Sequence, residues 1–306
     1  MFVPAHPVLT LTGNLLWEHT LVFNDWAPGH TQRATSAAFQ VGGKGTNVSR
    51  ALAALGCPNT ALVFPGGTTG AECEAWLRGR AVDFRSFPAA SDTRIGFVVR
   101  GGGQPETTFL GPDAAPGGTA LRACAEFLDA QPDGGLLAVC GSLPGWPGAD
   151  FDPLRTSLER WLGRGSIAVD TYGPPLAWFA ARPVSLVKVN RLEFDGMFSP
   201  AERAEDVAVR LGRLRTSRPV SAWVVTDGPG PVWWVDGDGG PSTLMPPSVT
   251  EVSATGSGDV LFASLLQALW RHRLPLADAL VLSLPRAAAH AAGSAAQGWS
   301  RGAQNR

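Results

Sequence analysis

Ser253-Ala254-Thr255-Gly256-Ser257-Gly258-Asp259 runs directly into Val260-Leu261-Phe262-Ala263-Ser264-Leu265-Leu266. Small residues give way to one carboxylate and then to an apolar run. Val260, Leu261, Phe262, Leu265, Leu266 and Leu269 recur at helical spacing, which predicts a buried helix beginning near Gly258. Glycines just ahead of a helix let backbone N–H groups approach an anion, and the helix N-terminus adds partial positive charge. A carboxylate on the first turn, Asp259, then lies beside that anion. The arrangement suits phosphoryl transfer: the helix end neutralises the anion while the carboxylate takes a proton from an attacking hydroxyl. Taken alone, the same stretch reads equally well as a loop closed by a capping aspartate.

A second glycine turn lies far upstream. Val41-Gly42-Gly43-Lys44-Gly45-Thr46-Asn47 precedes an apolar helical pattern at Val48, Leu52 and Leu55, with Gly56 placed to end it. No Ser or Thr follows Lys44 directly, so this is not a Walker loop. Between and around the two turns the chain alternates. Strands are predicted at 8–12, 61–64, 136–140, 167–170, 186–189 and 223–226, and helices at 48–55, 71–80, 119–130, 152–162, 201–214, 259–271 and 277–292. Residues 15–23 and 37–41 read as short strands and turns, and 95–100 and 106–110 as a hairpin about Gly101-Gly102-Gly103. Continuously apolar strands alternating with helices mean an α/β fold, a mainly parallel sheet covered on both faces. Ligands in such sheets bind beyond the carboxyl ends of the strands, where Asn14, Ser142, Asp170, Lys188, Asn190, Thr226 and Asp227 fall. Asp170 at such an end reads as a substrate contact or as a structural hydrogen bond to a neighbouring loop.

The 306 residues are 44% hydrophobic and 17% charged, which fits a packed core and excludes a disordered chain. A net charge of -1 with no basic run argues against nucleic acid as a partner. The N-terminus has no signal-peptide pattern, and Pro285, Arg286 and His290 interrupt the best membrane-span candidate, so no membrane association is expected. Cys57, Cys73, Cys124 and Cys140 form no Cys-x-x-Cys pair, which fits reduced thiols in the cytoplasm.

Gly42-Gly43-Lys44-Gly45-Thr46-Asn47 together with Gly256-Ser257-Gly258-Asp259 resembles the two signatures of the ribokinase-like (PfkB) sugar kinases. Lys188-Val189-Asn190-Arg191-Leu192-Glu193 is similar to the family's Lys-x-Asn-x-x-Glu motif, and Gly141-Ser142-Leu143-Pro144 to a turn of its phosphofructokinase branch. The four motifs stand in the family's order over nearly the whole chain. The resemblance implies a single ribokinase-like domain over 1–306, a three-layer α/β/α fold with a small β-sheet lid from about 13–40 and 92–110. It implies a kinase that uses ATP and Mg²⁺ and acts on a sugar or sugar phosphate. By matching position, Asp259 is the base, and the backbone of Gly256, Ser257 and Gly258 is the anion hole. Glu18, Gly42, Gly43, Lys44, Asn47 and Arg94 match the sugar-binding side. Lys188, Asn190, Glu193, Thr226 and Gly228 match the ATP side, with Asn190 and Glu193 reaching Mg²⁺ through water. Lids of this type pair between subunits, which implies a homodimer.

Lys44 and the Thr93-Arg94 pair also match the phosphosugar branch, where two cations on a substrate phosphate make chemical sense. Without that match, Arg94 is a strand-edge charge and Lys44 a turn residue. The chain departs from the branch at Ser253-Ala254, where Asp or Asn followed by Thr is usual, and at Glu18 and 108–110 on the sugar side. Three readings follow: a kinase of a phosphorylated ketose, a kinase of an unphosphorylated sugar or nucleoside, and a homologue that binds without turnover.

Overall fold

The computed structural model describes residues 6–237, 239–253 and 255–293. Ala254, one of the sequence departures, lies outside the described residues. In chain order the elements are β1 Val8–Thr12, β2 Leu16–Phe23, β3 Ser36–Gly42, α1 Lys44–Ala54, β4 Asn59–Val63, α2 Gly67–Gly79, β5 Phe84–Ser86, β6 Arg94–Gly101 and β7 Gln104–Leu110. There follow α3 Gly118–Asp129, β8 Leu136–Cys140, α4 Asp152–Leu162, β9 Ser166–Asp170, α5 Gly173–Ala180, β10 Leu186–Asn190, α6 Arg191–Asp195, α7 Pro200–Arg203, α8 Val207–Ser217 and β11 Ala222–Thr226. The chain then forms β12 Val232–Asp236, β13 Ser242–Leu244, α9 Ser257–Leu266, a π-turn at Gln267–Arg271, and α10 Leu276–Ala291.

Among the described residues, nine strands form one sheet in the order β13-β12-β11-β10-β9-β8-β1-β4-β5. Pairing is parallel from β5 through β11, and the edge strands β12 and β13 run antiparallel. Alternate residues serve opposite faces. Leu9, Leu11, Leu137, Val139, Ile167, Val169, Val187 and Val189 pack with α3, α4 and α5 on one side. Val8, Leu136, Ala138, Ala168, Leu186 and Val224 pack with α1, α9 and α10 on the other. Both faces being apolar is why these strands read as unbroken hydrophobic runs. The ribokinase-like α/β architecture implied by the sequence motifs is the observed one.

A second sheet of four strands, β3-β2-β6-β7, stands apart from the first. All four come from segments 13–40 and 92–110 or directly border them. Its β2 pairs parallel with β6 and antiparallel with β3. Leu15 and Val41 at its root pack with Val63, Trp76 and Leu77 of β4 and α2.

Several sequence expectations change in the structure. Residues 16–23 form one continuous strand, because pairing on both sides satisfies its whole backbone. The helix expected over 201–214 is broken: Asp206 accepts a hydrogen bond from Ala208 N at 2.7 Å and starts a new helix there. The helix expected over 259–271 is α-helical to Leu266 and widens into the π-turn. Helix α5 was hidden by its prolines, which are tolerated in a first turn where no N–H is needed. The helix expected over 277–292 is observed as α10, which runs through Pro285 to Ala291. No helix among the described residues is long and apolar enough to cross a membrane.

The seating of α1 on β1 positions the site. A Cβ on Gly45 would stand 2.3 Å from Thr12 Oγ1 and 2.8 Å from the Leu11 carbonyl oxygen, so only glycine lets the two backbones come this close. Gly45→Ala is expected to lower stability by about 2–3 kcal/mol through overpacking, measured as a lower midpoint in urea. An unchanged midpoint would show that α1 moves away freely.

Candidate active site

The carboxyl ends of β1, β8, β9, β10 and β11 open onto the N-termini of α1 and α9. Asp170 ends β9 and has no solvent exposure. Its Oδ1 accepts from Lys44 Nζ at 2.7 Å and its Oδ2 from Lys188 Nζ at 2.8 Å. Lys44 is the first residue of α1, and its stem lies against Gly141, beyond the end of β8. Lys44 also donates to Glu193 Oε1 at 2.8 Å. Glu193 Oε2 accepts from Asn190 N while the Asn190 side chain accepts from Glu193 N, a capping box that starts α6. Burial acts to lower the Lys44 ammonium, yet the charges of Asp170 and Glu193 outweigh it and hold the group above its ordinary range. Burial likewise acts to raise the Asp170 carboxyl, and the two lysines overcome it and hold Asp170 below the usual carboxylate range.

Asp259 lies on the first turn of α9 and is 6% exposed. Asn47 Nδ2 donates to its Oδ2 at 2.8 Å, a bond that joins the two glycine-turn helices across 212 residues of chain. Burial first, and then the neighbouring charge of Asp170, push its carboxyl up to about 6, against the opposing effects of Lys44, Asn47 and Lys188. The turn before it has no side-chain cap. Gly256 adopts φ +83°, a conformation that a side chain would strain. A Cβ on Gly258 would stand 2.9 Å from Lys188 Nζ, so a buried ammonium flanks the helix end. Uncapped N–H groups, a helix dipole and two lysines make this end of the site suited to an anion.

A second cluster lies on the small-sheet side. Arg94 Nη1 pairs with Asp113 Oδ1 at 2.8 Å. Asn14 Nδ2 donates to the same oxygen at 2.7 Å and to Ser142 Oγ at 2.9 Å. Asn14 is buried, and its Oδ1 has no protein partner. Glu18 is buried on β2, accepts from Gln40, and holds Oε2 3.0 Å from where a Gly42 side chain would begin. The Thr226 hydroxyl faces the Val189 carbonyl at 3.5 Å, and Gly228 makes the turn after β11 with φ +53°.

The structure thus brings together Lys44, Lys188, Glu193, Gly258 and Asp259, drawn from both glycine turns and the central motif. Lys44 and Arg94 sit on different carboxylates and do not share one. Asp170 is the residue whose importance the sequence left open. Its signal was a lone acid ending an apolar strand. Asp113 lies in a proline- and alanine-rich connection with nothing to mark it.

Known proteins resemble this chain in sequence and in fold. The model of the "pfkB family carbohydrate kinase" matches residues 16–150 and 171–298. The chain is 25% identical over 263 residues to a 1-phosphofructokinase of Borreliella burgdorferi, covering 85% of this chain and 84% of that protein. It is 30% identical over 237 residues to the ATP-dependent 6-phosphofructokinase isozyme 2 of Escherichia coli, covering 76% of each. The crystal structure of phosphofructokinase-2 from Escherichia coli in complex with substrates and products superposes with a TM-score of 0.83 at 25% identity, over 94% of this chain and 93% of that one.

Ionised Asp259 is a cost to the fold. Its folded pKa is raised, so the cost is absent below 3.8, accrues as pH rises from there, and is complete above about 6. The rise from 3.8 to about 6 corresponds to about 3 kcal/mol. Asp259→Asn is therefore expected to melt roughly 4–6 °C higher than the parent at pH 8, a difference that all but disappears at pH 3. Equal melting at pH 8 would mean the carboxylate is stabilised in the fold by contacts other than these.

Proposed function

The chain belongs to the pfkB family of carbohydrate kinases, and on that premise we propose that it transfers the γ-phosphoryl group of ATP to a hydroxyl of a phosphorylated ketose of the fructose phosphate type. The carrying observation is Asp259: a buried carboxyl with a pKa of about 6, on the first turn of an uncapped helix. A base titrating near neutrality accepts a hydroxyl proton at physiological pH. Asp259 takes that proton as the acceptor oxygen attacks. The N–H groups of Gly256, Ser257 and Gly258 receive the negative charge on the transferring group. Lys188 and Lys44 lie on this phosphoryl side, each held by Asp170, so both are oriented before the anion arrives.

The residues present fit Mg²⁺ in donor chemistry, since the acidic groups here offer oxygen only. Glu193, with Asn190 at the head of α6, would hold it through water, and the ion would neutralise charge on the nucleotide phosphates. Thr226 and Gly228 line the turn assigned to ATP. On the sugar side, Arg94 with Asn14 and Ser142 is suited to the phosphate already on the substrate, by exchanging Asp113 for that anion. Glu18, Gly42 and Gly43 face the sugar hydroxyls. The small sheet acts as a lid that excludes water, the competing acceptor. Four buried free thiols and dependence on ATP fit a cytoplasmic enzyme.

ADP release with Mg²⁺ over a panel of sugars and sugar phosphates tests the reading. Turnover is expected on a fructose or tagatose phosphate, with kcat/KM falling about tenfold per pH step below about 6. Asp259→Asn is expected to lose about 10²–10⁴ in kcat. Arg94→Ala is expected to raise KM for the sugar phosphate at little cost in kcat. Turnover confined to unphosphorylated sugars would move the assignment to a simple sugar or nucleoside. Binding of ATP without turnover on any acceptor would make the chain a non-catalytic homologue.

Ile95, Phe97 and Phe109 leave an apolar face exposed on the small sheet, suited to pairing with a second copy. Sedimentation is expected to give a dimer that Phe109→Asp converts to monomer. A monomeric parent would remove this assignment.

A further inference from the structure

A polar network away from the acceptor and nucleotide contacts joins the small sheet to the loop that leads into α9. Glu106, on β7, has a side chain 15% exposed. Its Oε2 lies 3.0 Å and its Oε1 3.2 Å from Ser253 Oγ, and Oε1 also accepts from Thr255 Oγ1. Arg100, on β6, donates through Nε to Glu106 and through Nη2 to Ser253 Oγ at 3.2 Å. The strand pairing with β2 stays in register through Arg100, which therefore shares the sheet face of Arg94 and Val98. One donor scheme satisfies the set: the guanidinium donates to Ser253 and to Glu106, and both hydroxyls donate to Glu106.

The loop's other side is fixed to α10. The backbone N–H groups of Val252 and Ser253 donate to the Ala291 carbonyl at 2.8 and 3.0 Å, and His290 Nε2 lies 3.1 Å from the Thr255 carbonyl oxygen. Its only charged contacts among these come from the small sheet. The residue at 253 suits this arrangement. Of the two residues usual there in the family pattern, Asp and Asn, an aspartate would set a second carboxylate against Glu106, whereas serine supplies the hydrogen that Glu106 accepts.

From this geometry we infer that Glu106 is a positioning residue that couples the two halves of the site, holding Ser253 and Thr255 so that the small sheet and the Gly256–Gly258 turn move together. The inference rests on the assignment of the small sheet to the sugar and of the turn to the phosphoryl group. When the sheet closes on sugar phosphate, Glu106 draws the turn into place; when ATP orders the turn, the sheet is held closed. The coupling is reciprocal, so each ligand tightens the other by the same factor.

Calorimetric titration of a non-hydrolysable ATP analogue with Mg²⁺, with and without saturating fructose 1-phosphate or fructose 6-phosphate, tests it. The parent is expected to bind the analogue about tenfold tighter when sugar phosphate is present. In Glu106→Ala that ratio is expected to fall to within about twofold of one, each ligand alone binding within about threefold of the parent. Glu106→Gln, which keeps one acceptor oxygen, is expected to fall between. Ser253→Ala breaks the same contact from the loop side and covers the case in which Glu106→Ala misfolds. A ratio that survives both Glu106→Ala and Ser253→Ala overturns the inference, as does a parent with no coupling although both ligands bind. Failure of the parent to bind either sugar phosphate at all would instead overturn the substrate assignment, and the coupling with it.

Discussion

A carboxylate sealed at the end of a central strand cannot stand alone. Asp170 has no access to water, and an uncompensated buried charge costs several kcal/mol. Its requirement draws Lys188 from the neighbouring strand and Lys44 from the first turn of α1, and through Lys44 it reaches Glu193 on α6. Helix α1, far upstream in the chain, is thereby fixed with β9, β10 and α6 around one ion cluster. The two lysines and the two carboxylates balance in charge. The cluster therefore holds cations desolvated and oriented without leaving an excess that would repel the sheet apart. Asp259 is the outsider: Asp170's charge adds to its burial and keeps its carboxyl near neutrality in pKa.

The same layer of helices carries both glycine turns. Helices α1 and α9 pack together on one face of the main sheet, and every residue from Asp259 to Leu266 is buried. A helix so enclosed has little freedom to tilt, which fixes Asp259 and its N–H groups relative to Asn47. Close backbone contact at Gly45 and the left-handed turn at Gly256 are the local means by which two rigid helices point their N-termini at one spot.

The small sheet is held differently. Its root is apolar, around Leu15, Val41 and Trp76, but its far strands reach the site through hydroxyls, a guanidinium and carboxylates. Polar, partly hydrated contacts open at lower cost than a packed core. One side of the site is thus built on the packed main sheet and the other on contacts that open more easily.

What the sequence determined by itself was the periodicity and the turn chemistry. Unbroken apolar strands required a sheet covered on both faces, and glycines before two apolar helices marked where those helices begin. Those local constraints placed Asp259, Lys188, Asn190 and Glu193 at strand and helix ends. The tertiary structure decided the partners. Asp170's paired lysines, Arg94 on Asp113 in place of sharing an anion with Lys44, and Glu106 on Ser253 and Thr255 all join residues far apart in the chain. Periodicity reports which face a residue occupies, while a charge's partner depends on which loops the fold brings within hydrogen-bonding reach. The antiparallel edge strands and the break before α8 were hidden for a related reason. Short segments take their conformation from a capping aspartate or a neighbouring strand, not from a pattern of their own.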